Sequence, residues 1–493
     1  MSPYSILAIT ALYFVILFVV SYLAGRKADN AGFFVGNRES KWYHVAIAMI
    51  GSGISGVTFV SVPGMVAGSG FSYLQMVLGF VVGQVIIAFV LLPLFYRQRL
   101  FSIYEYLNNR FGMASYKTGA WFFFISKMLG ASVRIYLVVL TMQLLVFDPL
   151  GLPFILNVVV TIGLVWLYTF LGGVKSLIST DMLKTFCLVF SLILSIYFIS
   201  EALGLGWNGL FKRVSDSSMS RVFFFDDIND RRYFWKLFLA GVFTVIATTG
   251  LDQDMMQRNL SCKNDRESRK NMLVSSVFQF FVISLFLFLG ALLYIFADTK
   301  GIALPSKGDE VFPFLATGGY FPVVVGVLFI LGLVAAAYSA AGSALTALTT
   351  SFTIDILGAK EEREKKLMHT RRKVHVGMAV LMGLCIVGFK LINNTSVIDA
   401  CYILSSYTYG PILGLFVFGM TVKRPVRDRW IPIVAILSPI LCYIIDTHSE
   451  AWFGGYKFSY EILLLNAFFT YVGCLIAIKP GKRLPEQTAK TTN

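Results

Sequence analysis

Residues 46–56 read Ala-Ile-Ala-Met-Ile-Gly-Ser-Gly-Ile-Ser-Gly, an apolar run that ends abruptly in small and polar residues. Three glycines and two serines in six positions disfavour an α-helix, and Pro63 follows shortly after them. Inside a bilayer, a helix break frees backbone groups, so it survives only when protein buries it or it lines a polar cavity. The stretch therefore predicts either a broken membrane helix whose carbonyl oxygens bind a small cation, or a glycine-rich face packed on a neighbouring helix.

A second break of the same kind lies at residues 247–253, which read Ala-Thr-Thr-Gly-Leu-Asp-Gln. Two interrupted helices at corresponding positions in two halves of a chain are the best sequence indication of the binding site of a secondary transporter. We therefore predict a site between the two breaks, near the middle of the membrane.

The composition is that of a polytopic membrane protein. Of 493 residues, 57% are hydrophobic and 14% are charged, whereas soluble domains contain about 25% charged residues. The net charge is +15, and the basic residues lie in short loops between apolar spans. This distribution follows the positive-inside rule and does not indicate nucleic-acid binding. The six cysteines predict neither disulfides nor a CxxC metal site. The sequence contains no Walker loop and no catalytic arrangement of histidines, so we expect neither an ATP-driven pump nor an enzyme.

The apolar segments predict about thirteen transmembrane helices of roughly 20 residues each. They lie near 4–24, 42–68, 71–97, 116–147, 153–173, 181–203, 233–252, 271–298, 321–350, 374–392, 396–420, 430–446 and 459–478. The basic residues alternate between the loops in a way that predicts an external N-terminus and a cytoplasmic C-terminus. The loop 204–232 departs from this pattern, since it holds five basic residues on the predicted outer side.

Ionisable residues inside the spans are candidate functional residues, because a charge in hydrocarbon is costly. Arg134 has two interpretations: a structural salt bridge, or a fork that binds a substrate carboxylate with two parallel hydrogen bonds. Asp181 either begins a helix favourably or provides an anionic stop on the route of a cation to the cytoplasm. Lys127 can snorkel or pair internally, and we assign it no role.

Polar residues at the second break and on the ninth span complete the candidates. Asp252 and Gln253 either satisfy backbone groups freed by the break or hydrogen-bond a polar substrate. Ser339 and Ser343 lie one turn apart on a helix rich in small residues. That helix packs closely on its neighbour, and the two hydroxyls are in addition plausible ligands of Na+.

The chain as a whole resembles the sodium/solute symporter family, whose members include sodium-coupled glucose, proline, iodide and sialic acid transporters. The segments that carry the resemblance are 33–38, 104–112, 168–181 with the pair Gly172-Gly173, 252–258, 335–343 and 410–414. The resemblance implies an all-α, leucine-transporter-like fold with two inverted five-helix repeats. The divisions are then a leading helix and loop at 1–41, a first repeat at 42–203, an extracellular loop at 204–232, a second repeat at 233–420, and C-terminal helices with a short cytoplasmic tail at 421–493.

The resemblance also implies a sodium site. Its ligands are the backbone carbonyls of Gly51, Ile54 and Ala336 together with the hydroxyl of Ser339. The family often has a second hydroxyl where this chain has Ala340. Some relatives hold a second sodium with an aspartate that matches Asp181 and two serines, which here are Gly342 and Ser343, so we expect one sodium per cycle. Lys184 replaces a common glutamine, and nothing in the sequence explains it.

The implied substrate pocket lies between the breaks. Its residues are Ser55, Thr58, Gln75, Arg134, Asp252 and Gln253. Arg134 matches the arginine that binds the carboxylate in sialic acid carriers of the family, although Gly53 replaces a hydroxyl of theirs.

We therefore expect a Na+-coupled symporter in the plasma membrane that works as a monomer and imports a carboxylated solute such as a sialic acid. The alternatives are a Na+/neutral sugar symporter, a proton-coupled carrier that uses Asp181 or Asp252, and a membrane sensor that binds solute.

Overall fold

The structure is a computed structural model that describes residues 2–25, 40–98, 102–171, 174–359, 364–392 and 397–479. Of the segments that carry the family resemblance, 33–38 and the pair Gly172-Gly173 lie outside these ranges. In chain order the helices are α1 (Pro3–Gly25), α2 (Trp42–Gly53), α3 (Gly56–Ser69), α4 (Tyr73–Ile86), α5 (Leu92–Arg97), α6 (Glu105–Arg110), α7 (Met113–Met142), α8 (Phe154–Leu171), α9 (Val174–Leu203), α10 (Trp207–Ser215), α11 (Phe234–Val245), α12 (Gln253–Leu260), α13 (Asp265–Lys300), α14 (Gly308–Thr317), α15 (Val323–Ser351), α16 (Glu364–Ile392), α17 (Val397–Thr421), α18 (Ile431–Trp452) and α19 (Ile462–Ile476). Four of them continue into π-helical turns at Ile87–Leu91, Gln143–Phe147, Ile246–Gly250 and Phe352–Ile356.

The helices account for every predicted span. Over the described ranges, nine helical segments are long and apolar enough to cross a membrane, and two bent helix pairs raise the number to eleven. Two shorter apolar helices, Phe154–Thr169 and Ile462–Ile476, overlap the remaining predicted spans. The chain is therefore a multi-pass, nearly all-helical membrane protein, while the number of helices that cross the bilayer stays a prediction.

The first predicted break is present but is only two residues long. Helices α2 and α3 meet at an angle of 52°, and Ile54 and Ser55 between them have extended backbone angles. Gly51 remains helical, and because a Cβ there would overlap Thr185 Oγ1 of α9, the glycine allows the two helices to approach closely. Both interpretations of the stretch therefore apply: Gly51 provides a packing face, and the next residues form the break.

The second break joins α11 and α12 at an angle of 69°. A π-helical turn ends at Gly250, Leu251 leaves the helical region, and Asp252 is the N-cap of α12. The Asp252 carboxylate accepts hydrogen bonds from the backbone N–H groups of Asp254 (2.9 Å) and Met255 (3.2 Å), which are among the donors that a helix start leaves without partners. The break is thus stabilised by the first polar residue that follows it.

Candidate functional site

A cavity of about 120 Å³ lies between the two breaks. Four of the predicted substrate residues line it: Ser55 and Thr58 of the first break, Arg134 of α7, and Asp252 of the second break. Tyr409 of α17 also lines it. The structure therefore brings four of the six predicted substrate residues together around one space.

Arg134 faces this cavity without a carboxylate partner. It is half-buried at the middle of α7, and among the described residues no aspartate or glutamate oxygen lies within 4 Å of its guanidinium. Its guanidinium lies close to the Cys401 side chain of α17, which also lines the cavity. Within the described ranges, the structural salt bridge that was the alternative for Arg134 is therefore not formed, and the guanidinium fork is available to a ligand.

Lys127 forms the salt bridge that was considered for Arg134. Two turns earlier on α7, its ammonium lies 3.0 Å from Asp252 and 3.1 Å from Asp254, and all three side chains are buried. Tyr409 donates a further hydrogen bond of 2.8 Å to Asp252. The Asp252 carboxylate is therefore occupied by Lys127, by Tyr409 and by the start of α12. It borders the cavity mainly as a support for the second break.

Gln75 and Gln253, the other two predicted substrate residues, do not line the cavity. The Gln75 amide donates to the Arg232 carbonyl (2.9 Å) and accepts from the Phe224 N–H (3.2 Å), so it fixes the loop 204–232 to α4. The Gln253 side chain accepts a hydrogen bond of 2.8 Å from the Ile103 N–H. Each amide is buried and satisfies backbone groups of a neighbouring segment.

Two residues of the predicted sodium site, Gly51 and Ser339, keep oxygen lone pairs that other groups do not use in the bonds described next. The Ser55 N–H, which would donate to the Gly51 carbonyl in an unbroken helix, donates to Thr58 Oγ1 at 3.4 Å instead. The Gly51 carbonyl is therefore released from this helical bond. The Ser339 hydroxyl donates a hydrogen bond to the Asp181 carboxylate. The lone pairs of the Ser339 oxygen therefore remain available to a cation. Ala336 is fully buried in the same helix, α15.

Asp181 and Ser343, the remaining predicted cation ligands, both contact Arg258 of α12. The Arg258 guanidinium lies 3.2 Å from Asp181, donates to the Ser343 hydroxyl, and donates to Ser52 Oγ at 2.7 Å. All four residues are buried or half-buried. The two side chains that were expected as further cation ligands are therefore both bound by an arginine of the chain itself.

Gly342 of α15, one residue before Ser343, lies in close contact with α8. A Cβ at this position would overlap the Tyr168 hydroxyl, which donates a hydrogen bond of 2.8 Å to the Tyr338 carbonyl. A serine at position 342 therefore has no space while Tyr168 keeps this bond, and the glycine and the tyrosine fit as a pair.

A larger cavity of about 690 Å³ lies next to the first one, on the side of the loop 204–232. Its wall includes Arg232 of that loop and the exposed residues Ala67 and Gly68 of α3. Tyr73 lines both cavities, and its hydroxyl forms a 2.5 Å hydrogen bond with the hydroxyl of Tyr402. We call the larger space the vestibule.

The sequence did not single out Arg258 or Tyr409 as site residues. The available signal was the number of charges. Asp254 and Arg258 are four positions apart, which is helical spacing, and the three acids Asp181, Asp252 and Asp254 within predicted spans or next to them require basic partners. No pattern in the sequence indicated which base pairs with which acid, because these partners are up to 127 positions apart.

Comparison with known proteins agrees with this architecture. The profile of the sodium:solute symporter family matches residues 33–428. The sodium-coupled monocarboxylate transporter 2 of Mus musculus is 24% identical over 406 residues, which is 80% of this chain and 64% of that protein. The sodium/sialic acid symporter NanT of Aliivibrio fischeri is 25% identical over 461 residues, which is 89% of this chain and 87% of that protein.

Two solved structures resemble the fold. A Na+-coupled sialic acid symporter in a substrate-bound, outward-open state has a TM-score of 0.80 at 19% identity, over 97% of this chain and 99% of that one. The nucleobase-cation-symport-1 transporter Mhp1 in a closed conformation has a TM-score of 0.56 at 13% identity, over 91% and 95% of the two chains. The predicted fold class, an all-α membrane protein of the leucine-transporter type, is confirmed. At these identities the likeness concerns the fold alone.

Proposed function

Because the chain belongs to the sodium:solute symporter family, we propose that it is a Na+-coupled symporter that imports a small carboxylated solute by alternating access. The solute is a sialic acid, another carboxylated sugar or a small organic acid. The names of two relatives support a carboxylate, since one is a sialic acid symporter and the other a monocarboxylate transporter.

The observation that carries the proposal is that the Arg134 guanidinium has no carboxylate partner among the described residues. A buried or half-buried arginine normally meets a carboxylate, and the described residues offer none at this place. A carboxylated solute in the cavity would supply it, with two parallel hydrogen bonds to the guanidinium fork. A neutral sugar supplies no such charge, so the geometry favours the acid over the sugar.

Sodium would bind where the first break meets α15. The carbonyls of Gly51, Ile54 and Ala336 and the Ser339 hydroxyl would supply oxygen ligands. An ion at this place would hold α2 and α3 against α15 and so favour one conformation of the first break. The solute and the ion are then coupled because each binds one conformation of the carrier more tightly than the other.

The remaining assignments follow from this mechanism. The vestibule would be the entry from outside, so the loop 204–232 and the N-terminus would lie outside and the C-terminus in the cytoplasm. The repeats would comprise 42–203 and 233–420, and a single chain in the plasma membrane would complete one transport site. Because Arg258 forms an ion pair with Asp181, that carboxylate would not bind a second sodium, and one sodium would move with each solute.

Uptake by proteoliposomes tests the function. Purified protein should accumulate labelled N-acetylneuraminic acid or lactate when sodium is imposed outside, and an imposed pH gradient without sodium should give none. Uptake that ignores the sodium gradient would contradict sodium coupling, and uptake driven by pH alone would favour the proton-coupled carrier. Binding of solute with no uptake under either gradient would favour a sensor.

A further inference from the structure

Lys184 of α9 is a fully buried cation that has no partner in the described part of the chain. Its side chain is 0% exposed, and its ammonium forms no hydrogen bond and no ion pair among the described residues. It lines a small cavity of about 30 Å³ together with Ser55 of the first break, Arg134 of α7 and Ala340 of α15. A charge buried in this way is costly unless an opposite charge accompanies it.

The charges around this small cavity do not balance. Lys127, Arg134, Lys184 and Arg258 line it, against the two acids Asp181 and Asp254. Lys127 pairs with Asp254 at 3.1 Å and also with Asp252, which does not line this cavity, at 3.0 Å, and Arg258 pairs with Asp181 at 3.2 Å. Both acids are thereby used, which leaves Lys184 and Arg134 without a carboxylate on the wall of the same space.

The small cavity adjoins the one between the breaks. Their walls share Ser52, Ser55, Lys127, Ala131, Arg134 and Met255. Its volume of about 30 Å³ gives room for roughly two water-sized atoms, which is what the two oxygens of a carboxylate present. A group that enters the small cavity from the cavity between the breaks would meet the Arg134 guanidinium, which lines both.

We propose that Lys184 and Arg134 form an anion subsite that receives one monovalent anionic group, and that this group is the carboxylate of the transported solute. The inference rests on the proposed carboxylated solute and names its second cationic ligand. It also accounts for Lys184 at a position where the resemblance leads one to expect glutamine: a glutamine offers a hydrogen bond, whereas the lysine adds the charge that selects an acid.

Equilibrium binding to the purified full-length chain tests this proposal without any need for transport. N-acetylneuraminic acid and its methyl ester would be titrated in the presence of sodium against the unmodified protein, Lys184→Gln and Lys184→Arg. We expect Lys184→Gln to weaken binding of the acid by roughly 10- to 100-fold and binding of the ester by less than about twofold. Lys184→Arg keeps the charge and should retain most of the affinity for the acid.

The control is Lys117→Gln on α7, whose ammonium contacts the carbonyls of Asp355 and Ile356 away from both cavities. Melting temperatures of all variants, measured with sodium alone, would show that they are folded. Equal losses for acid and ester in Lys184→Gln, or no loss for either, would overturn the proposal. Because only binding is measured, failure of sodium-driven uptake with this pattern intact would reject the symporter and leave the subsite.

A second arm distinguishes the carboxylate from a free anion. Sulfate, a divalent anion that is not a carboxylate, would replace chloride throughout the titration of the unmodified protein. If the solute carboxylate fills the subsite, affinity for the acid should not fall when chloride is removed. If a chloride ion fills it, removal should weaken binding of acid and ester alike, and Lys184→Gln should abolish that dependence. The second result would keep the anion subsite and overturn its assignment to the solute.

Discussion

Individual side chains divide into those whose role can be predicted from sequence and those whose role depends on a distant partner. Arg134 was recognisable because an arginine in an apolar helix is rare and its chemistry suits a carboxylate. Gln75 and Gln253 have the same polarity as substrate ligands, yet the structure uses both for neighbouring backbone groups. Nothing local separates these two uses, since each depends on what another segment leaves unsatisfied.

Removal of the Arg134 fork should therefore cost affinity for acids specifically. Arg134→Ala removes a charge-assisted pair of hydrogen bonds, worth about 1.5–3 kcal/mol, so the dissociation constant of N-acetylneuraminic acid should rise roughly 10- to 100-fold. Arg134→Lys keeps the charge but not the fork and should give an intermediate loss. Calorimetric titration of acid and methyl ester measures both, and an undiminished affinity of Arg134→Ala for the acid would reject the role.

Ser339 and Ser343 should differ in their effect on sodium although they lie one turn apart. The Ser339 hydroxyl donates to Asp181 and keeps its lone pairs for an ion, whereas the Ser343 hydroxyl already accepts from Arg258. Ser339→Ala should raise the half-saturating sodium concentration roughly tenfold. Ser343→Ala should change it by less than about threefold. Sodium-dependent thermal shifts would measure both, and the reverse order would refute this assignment of ligands.

At the scale of the helices, the two breaks were predictable in position but not in extent. Glycine and serine clusters disfavour helix, yet Gly51 stays helical where it contacts α9, and only Ile54 and Ser55 leave the helix. The second break likewise depends on Asp252, whose carboxylate caps α12 and binds Lys127 of another helix. Helix propensity indicates where a helix can be interrupted, and tertiary packing determines which residues leave the helix.

The contact of Gly51 with α9 gives a direct test of close helix packing. Gly51→Ala should lower the free energy of unfolding by about 1–3 kcal/mol, because the new methyl group overlaps Thr185 and forces α2 away from α9. The control is Gly163→Ala in the middle of α8, where no atom lies near the added carbon and the change should be neutral or stabilising. Thermal unfolding in detergent compares the two, and equal melting temperatures would contradict this account.

Arg258 connects four helices, and its removal should destabilise the protein because it leaves a buried carboxylate without its ion pair. It reaches Ser52 of α2, Asp181 of α9 and Ser343 of α15 from its own position on α12. Arg258→Gln should destabilise the protein by about 3–5 kcal/mol, because the Asp181 carboxylate loses its partner. The double variant Asp181→Asn/Arg258→Gln removes both charges and should recover part of that loss. A double variant that is no more stable than Arg258→Gln would show that the pair is not the cause.

For the whole molecule, the order of apolar segments and breaks was enough to predict the fold class, because a membrane admits few ways to satisfy a helical backbone. The order of segments cannot predict which side of the protein is open in the structure. In the structure, the vestibule of about 690 Å³ lies on the side of the loop 204–232, while the small cavity that Asp181 and Arg258 line measures about 30 Å³. This asymmetry predicts that the chain, as described, is open toward that loop.

Cysteine labelling in intact cells should therefore report both the open side and the orientation. In a background without the six native cysteines, Ala67→Cys in the vestibule should react with a membrane-impermeant thiol reagent added outside. Arg424→Cys, which is exposed in the loop after α17 and predicted to be cytoplasmic, should react only after permeabilisation. Sodium together with a carboxylated solute should slow labelling at position 67, because the bound carrier closes its outer side. Labelling of position 424 from outside, with position 67 protected until permeabilisation, would reverse the proposed topology and with it the direction of import.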